Sequence, residues 1–174
     1  MIHIRRAGPL DARPLAELLN AIIAQGGTTA MTNAITADTL RGWMAADPGK
    51  SAWHLAEDDT GTAIGFQWIE QHPELPADAC SIATFVRIGA QGLGTGSALF
   101  SATATAARAL GYGWIHATIL GQNTGGLAYY QSRGFESYRL AHHTDPTKQQ
   151  KRFDLWSRPR LGCPYARDAS VKNQ

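Results

Sequence analysis

The 174-residue chain is poor in cysteine: Cys80 and Cys163 stand far apart, with no C-x-x-C pair and no Cys/His ligand spacing. That argues against a disulfide framework and a structural zinc site, and points to a reducing compartment. No stretch approaches the ~18 apolar residues of a membrane span. Met1-Ile2-His3-Ile4-Arg5-Arg6 does not read as a basic cap before an apolar leader either. The expectation is a cytoplasmic protein without a membrane partner. Charge of one sign is also missing, since 16 Lys and Arg against 14 Asp and Glu leave a formal +2. Nucleic acid is therefore not the expected partner. Repeats and low-complexity tracts are absent, so each element has to be read singly. The chain is 44% apolar, with five Trp, five Tyr and five Phe, which is ample for one hydrophobic core at this length.

What is there is a pattern of strands and helices. Ile2 and Ile4 alternate with His3 and Arg5, as in a short strand with one buried face. Pro9 suits a helix start, and Leu15, Leu18, Leu19, Ile22 and Ile23 recur at helical spacing until Gly26-Gly27 stop them. Thr36-Ala37-Asp38 opens a second helix through Leu40, Trp43 and Met44, ended by Asp47-Pro48-Gly49. Strands over 52–57 and 63–71 flank the turn Asp58-Asp59-Thr60-Gly61, and 72–76 is a loop. From residue 81 strand and helix alternate: strand 81–86, helix 97–110, strand 114–119, helix to Arg133, then strands to about Leu140 and over 150–156. This is an α/β chain with a mixed sheet, followed by a basic tail over 158–174.

The strongest chemical signal is the glycine loop between strand 81–86 and the helix after it. Glycines at 92, 94 and 96 remove side chains that would keep an anion away, and the helix adds the positive end of its dipole. A diphosphate is the natural guest. A P-loop requires Gly-Lys-Ser/Thr, and this loop has no lysine. The dinucleotide fingerprint fails as well, ending on Leu99 in one frame and Ser97 in the other.

What fits is Q/R-x-x-G-x-G/A, carried by Gln91-Gly92-Leu93-Gly94-Thr95-Gly96 after a strand ending in Phe85-Val86. A second block, Asn123 and then Gly126-Leu127-Ala128-Tyr129-Tyr130-Gln131-Ser132-Arg133-Gly134-Phe135, follows N-x-x-(A/G)-x-x-(hydrophobic)-Y-x-x-x-G-F. Both blocks, in this order, resemble those of the GNAT acyltransferase superfamily over residues 1–157. The resemblance implies a single domain with a mixed, mostly antiparallel sheet, flanked by helices and split by a splayed central pair of parallel strands. It implies acetyl-CoA as cosubstrate, with no metal. The Gln91 to Gly96 amides would hold the pyrophosphate, and the backbone around Phe85, Val86 and Arg87 the pantetheine arm. Asn123 would contact that arm, and Tyr130 would face the sulfur. Ile88 stands where the family often has proline. Homodimers are frequent in the family, and one is expected here.

Acetyl transfer to an amine expels a thiolate. A phenol with a reference pKa near 10 can donate to it while staying neutral at pH 7, which makes Tyr130 the catalytic candidate; core packing beside Tyr129 and Phe135 is the competing reading. The developing oxyanion needs a fixed donor, for which the Val86 amide is the candidate. The strand carries no carboxylate where some members have glutamate, leaving Glu70, His72, Glu74 and His116 as candidate bases, and His116 reads first as a packed core residue.

For the acceptor, Asn20 and Gly26-Gly27-Thr28-Thr29-Ala30 resemble the layout of amino-acid-directed members such as the phosphinothricin and methionine sulfoximine acetyltransferases. Trp43, Phe66 and Trp68 are candidate pocket walls, with core packing the competing reading, as it is for most tryptophans in strands and helices. The leading expectation is an N-acetyltransferase acting on a small primary amine. A protein or peptide N-acetyltransferase and a non-catalytic acyl-CoA-binding regulatory module are the alternatives.

Overall fold

The computed structural model describes residues 1–140 and 143–156. The tail over 158–174, with Cys163, lies outside the described residues. Strand β1 (His3–Arg6) leads through a single 3-10 turn at Pro9–Asp11 into helix α1 (Ala12–Gln25). The helix therefore starts later than Pro9 alone suggests, and it stops at Gly26, whose φ of +74° is left-handed. Helix α2 (Ala37–Ala46) is capped by Thr36, which accepts the Thr39 amide at 3.0 Å. Strands β2 (Ala52–Glu57) and β3 (Ala63–Glu70) form a hairpin. Its turn is set by the Asp58 carboxylate, which accepts the Thr60 and Thr62 amides at 2.9 and 3.0 Å.

Strand β4 (Ala79–Val86) is followed by helix α3 (Thr95–Ala109), strand β5 (Trp114–Leu120), helix α4 (Thr124–Ser132), and strands β6 (Glu136–Tyr138) and β7 (Lys148–Asp154). The last strand begins and ends two residues earlier than the apolar pattern suggests. Its partner decides this: β7 pairs along the whole of β5, from Leu120↔Lys148 to Trp114↔Asp154.

The seven strands lie in the order β1-β2-β3-β4-β5-β7-β6, and every neighbouring pair is antiparallel except β4 and β5. That parallel pair keeps only three register positions, Ala79↔Trp114, Cys80↔Ile115 and Ser81↔His116. Beyond them β4 stays with β3 as far as Val86 while β5 stays with β7 as far as Leu120, so the two diverge.

Strand alternation sorts the core into two layers. Phe66, Trp68 and Phe85 pack beneath α1 and α2 with Leu15, Leu19, Leu40 and Trp53. Ile82, Ile115, Ile119 and Tyr130 pack on the other face with Phe100 and Phe135. Each large apolar side chain buried this way contributes roughly 1.5–3 kcal/mol. A one-residue slip of β3 would move Phe66 and Trp68 to the wrong layer, which fixes the register. Among the described residues, no helix is long and apolar enough to cross a membrane.

Candidate active site

The gap between β4 and β5 organises the site. The Arg87 amide donates to the Ile64 carbonyl at 2.8 Å on the β3 side, and the Trp114 amide donates to the Asp78 carbonyl at 3.3 Å on the β5 side. Backbone polar groups alternate sides along a strand, so those of Phe85 and Arg87 face β3. Those of Thr84 and Val86 face the gap, past the last β5 partner. Here a sheet interior has an open edge that needs hydrogen-bonding partners.

At the end of that edge lies the glycine loop. Gln91 Oε1 accepts the Gly89 amide at 2.8 Å, folding the loop on itself. Gly92 and Gly94 have φ of +79° and +87°, and a Cβ at either would meet nothing within 4 Å. Backbone conformation rather than crowding therefore calls for glycine there, and left-handed residues interspersed in a loop turn its amides into an anion-binding concavity. Gly94 is the N-cap of α3 and supplies no side-chain cap, so the first amides of a 15-residue helix receive none of the capping that a Ser, Thr, Asp or Asn would give. Leu93 is exposed, whereas Thr95 is buried against Gly65. Gly96 differs from the other two: a Cβ there would lie 2.7 Å from Tyr129 Cε2. The residues present fit an anionic diphosphate.

Asn123 behaves differently from a simple ligand to the cofactor arm. Its Oδ1 accepts the Gly126 amide at 2.9 Å and so caps α4, while its Nδ2 donates to the Thr28 carbonyl at 3.1 Å. It thus ties the α1–α2 connection to the helix that carries both tyrosines. Asn20 secures the other end of that connection, donating to the Ile35 carbonyl at 2.9 Å and accepting its amide at 2.7 Å. Tyr130 is buried, with its hydroxyl 2.8 Å from Thr84 Oγ1. Burial holds its phenol above the ordinary range, while the bond to Thr84 pulls the other way. The Tyr129 hydroxyl donates to the Gly96 carbonyl at 2.7 Å, linking α4 to α3.

On the face of the sheet that carries α1 and α2, a cavity of about 310 Å³ lies beside the base of the gap, lined by His72, Glu74, Ser81, His116, His143 and Lys148 among others. Three of the four candidate bases meet there; Glu70, at the end of β3, does not line it. His116 is bonded at both ring nitrogens, by Nδ1 to the Tyr138 hydroxyl and by Nε2 to Thr118 Oγ1 at 2.8 Å. Burial, then the neighbouring His72 and His143, lower its pKa to about 4, so the ring is neutral at pH 7. Of the aromatic residues considered as pocket walls, Phe66 and Trp68 are core, and Trp43 packs partly buried against them. Trp68 stacks on Trp53 at 4.4 Å and on Phe85 at 5.6 Å, and Phe66 has no exposed surface.

Sequence reasoning missed His143 and Lys148, whose approach depends on the β5–β7 register and carries no local signal. It also missed Gln67, although a lone amide in the apolar run Ala63-Ile64-Gly65-Phe66-Gln67-Trp68-Ile69 is visible in the sequence.

A splayed parallel pair, a helix without a side-chain cap behind a glycine loop, and a buried tyrosine on the next helix make up the candidate site. The chain belongs to the acetyltransferase (GNAT) family, whose model matches residues 18–135. It is 30% identical over 142 residues to a mycothiol acetyltransferase of Rhodococcus erythropolis; the match covers 76% of this chain but 46% of the relative, so the chain spans about half that protein's length. Among solved structures it resembles one from Salmonella typhimurium described as an acetyltransferase with its cofactor acetyl-CoA (TM-score 0.78, 18% identity, 95% of this chain and 98% of that one). It also resembles a phosphinothricin acetyltransferase from Sinorhizobium meliloti in complex with acetyl-CoA (TM-score 0.77, 20% identity, 92% and 94%). At these identities the two structures establish the fold.

Proposed function

We propose that the protein is an N-acetyltransferase that moves the acetyl group of acetyl-CoA directly to the primary amine of a small molecule, an amino acid or an analogue of one. Bound acetyl-CoA supplies the acyl group as a thioester. Every other part belongs to the chain. The glycine loop and the amino end of α3 bind the diphosphate, and the unpaired peptide groups of Thr84 and Val86 hydrogen-bond the arm. The Val86 N–H stabilises negative charge on the carbonyl oxygen. As the C–N bond forms and the C–S bond breaks, Tyr130, neutral at pH 7, donates its proton to the departing sulfur. The proton lost by the amine leaves on the cavity side, among His72, Glu74, His116 and His143.

The observation that carries this reading is the position of the Tyr130 hydroxyl, held by Thr84 at the unpaired edge of β4. A cavity of about 310 Å³ suits a small acceptor, and the phosphinothricin enzyme is the relative whose name agrees. The test is release of free thiol from acetyl-CoA across a panel of amino acids, analogues, polyamines and peptides. Tyr130→Phe is expected to lower turnover roughly 100- to 10,000-fold with CoA affinity unchanged. Signal confined to peptides would overturn the small-molecule acceptor, and normal turnover in Tyr130→Phe would favour a non-catalytic acyl-CoA-binding module.

A further inference from the structure

Gln67 has no exposed surface, yet its Oε1 has no hydrogen-bond partner, while its Nε2 donates twice, to Thr84 Oγ1 at 2.7 Å and to the Tyr129 hydroxyl at 3.2 Å. Proton counting fixes this orientation. Tyr129 has one hydroxyl proton, given to the Gly96 carbonyl, so its oxygen must accept from Gln67. Turning the amide over would set Oε1 against a Tyr129 oxygen with no proton to offer and would bury an N–H₂ group without acceptors.

The same counting reaches Tyr130. Thr84 Oγ1 accepts from Gln67 and has one proton of its own; the Tyr130 oxygen at 2.8 Å is the acceptor in place for it. If Tyr130 donated to Thr84 instead, the threonine proton would be left with only the Tyr129 oxygen, which already accepts from Gln67, and the tyrosine proton would be unavailable to the reaction. We infer that Gln67 and Thr84 are positioning residues that set the direction of the chain Gln67 N–H to Thr84 O–H to Tyr130 O–H, and so leave the Tyr130 proton for a group in the gap between β4 and β5. This rests on Tyr130 acting as proton donor. A hydrogen bond received at the phenol oxygen stabilises the negative charge left when the proton departs, which burial alone opposes. One amide also serves both tyrosines, which couples the α3–α4 contact at Gly96 to the reactive hydroxyl.

The experiment measures kcat and the acetyl-CoA KM of the full chain by thiol release, with melting curves for every variant. Thr84→Val should lower kcat roughly tenfold with KM within about twofold, and Thr84→Ser should restore kcat to within about twofold of wild type, because only the hydroxyl matters. Gln67→Met should lower kcat roughly three- to tenfold and provides a second reading if Thr84→Val folds poorly. In a Tyr130→Phe background Thr84→Val should add almost nothing. If Tyr130→Phe is impaired but Thr84→Val and Gln67→Met keep normal kcat, the chain is wrong while the role of Tyr130 stands. Losses that multiply in the double variant would also overturn it. Normal turnover in Tyr130→Phe would overturn both.

Discussion

Two strand-to-helix junctions lie side by side at the carboxyl ends of the splayed strands, and they are finished in opposite ways. After β4 the chain turns through left-handed glycines, and α3 begins on a residue without a side chain. After β5 the chain turns through Asn123, whose carboxamide closes the amino end of α4. Both helices present the same positive end, but only the first leaves it available. The difference separates a helix end closed by a side chain from one without a cap: Asn123 holds α4, which carries Tyr130, whereas the amino end of α3 is the one proposed above to receive charge.

The contrast breaks most sharply at the first junction. Gly94→Asp would place a carboxylate where the anion enters, and it should weaken CoA binding roughly a hundredfold, about 2.7 kcal/mol. Gly94→Asn, with the same left-handed backbone strain but no charge, should lose far less, as calorimetry would show. The neighbouring Gly96→Ala should act on the fold instead, costing roughly 1–3 kcal/mol of stability, because its Cβ would meet the Tyr129 ring rather than a ligand. An unchanged melting temperature together with weakened CoA binding in Gly96→Ala would erase the distinction between an open cradle and a packed contact.

On β5, before the second junction, His116 gives an effect that depends on pH. Its pKa is about 4 in the folded protein against 6.5 ordinarily, so below pH 6.5 the unfolded chain takes up the proton first. The stability of the neutral buried ring is complete above about pH 6.5 and is lost as pH falls toward 4. His116→Gln should flatten that part of a stability–pH curve measured by urea unfolding; a curve unchanged in slope would remove His116 as its source. Smallest is the second junction itself. Asn123→Ala should cost about 1 kcal/mol through the lost cap. Asn123→Asp should keep the cap yet lose the donor to the Thr28 carbonyl, so its melting temperature should fall less than that of Asn123→Ala.

How much of this was legible in the sequence follows from where each signal resides. Thr36 as a cap, Gly26 as a stop and the Asp58 turn are local devices, and each forms as the residues suggest. The glycine loop was legible because backbone conformation dictates its glycines, and Tyr130 was singled out by its place in a family motif. For Trp68 the sequence left pocket wall and core both open, because a large aromatic residue reads the same in either until its neighbours are known. Asn123 was found for its place in a motif, but its double attachment to Gly126 and Thr28 spans 95 positions, which no spacing rule reports. The cavity's His143 and Lys148 come from a connection whose placement is decided by strand pairing alone.

The brief contact between β4 and β5 also makes the sheet mechanically two ribbons, four strands beside three, stitched by three residue pairs and a shared layer of side chains. Pulled or heated, such a sheet yields along that seam before it yields within either ribbon. The Thr84 and Val86 amides beside it lack the protection that strand pairing gives their neighbours, and they are the ones expected to trade hydrogen for deuterium early. A molecule lying in the seam and bonding those amides serves as a temporary eighth strand. Occupancy of the seam is therefore expected to slow that exchange, and an empty seam to restore it.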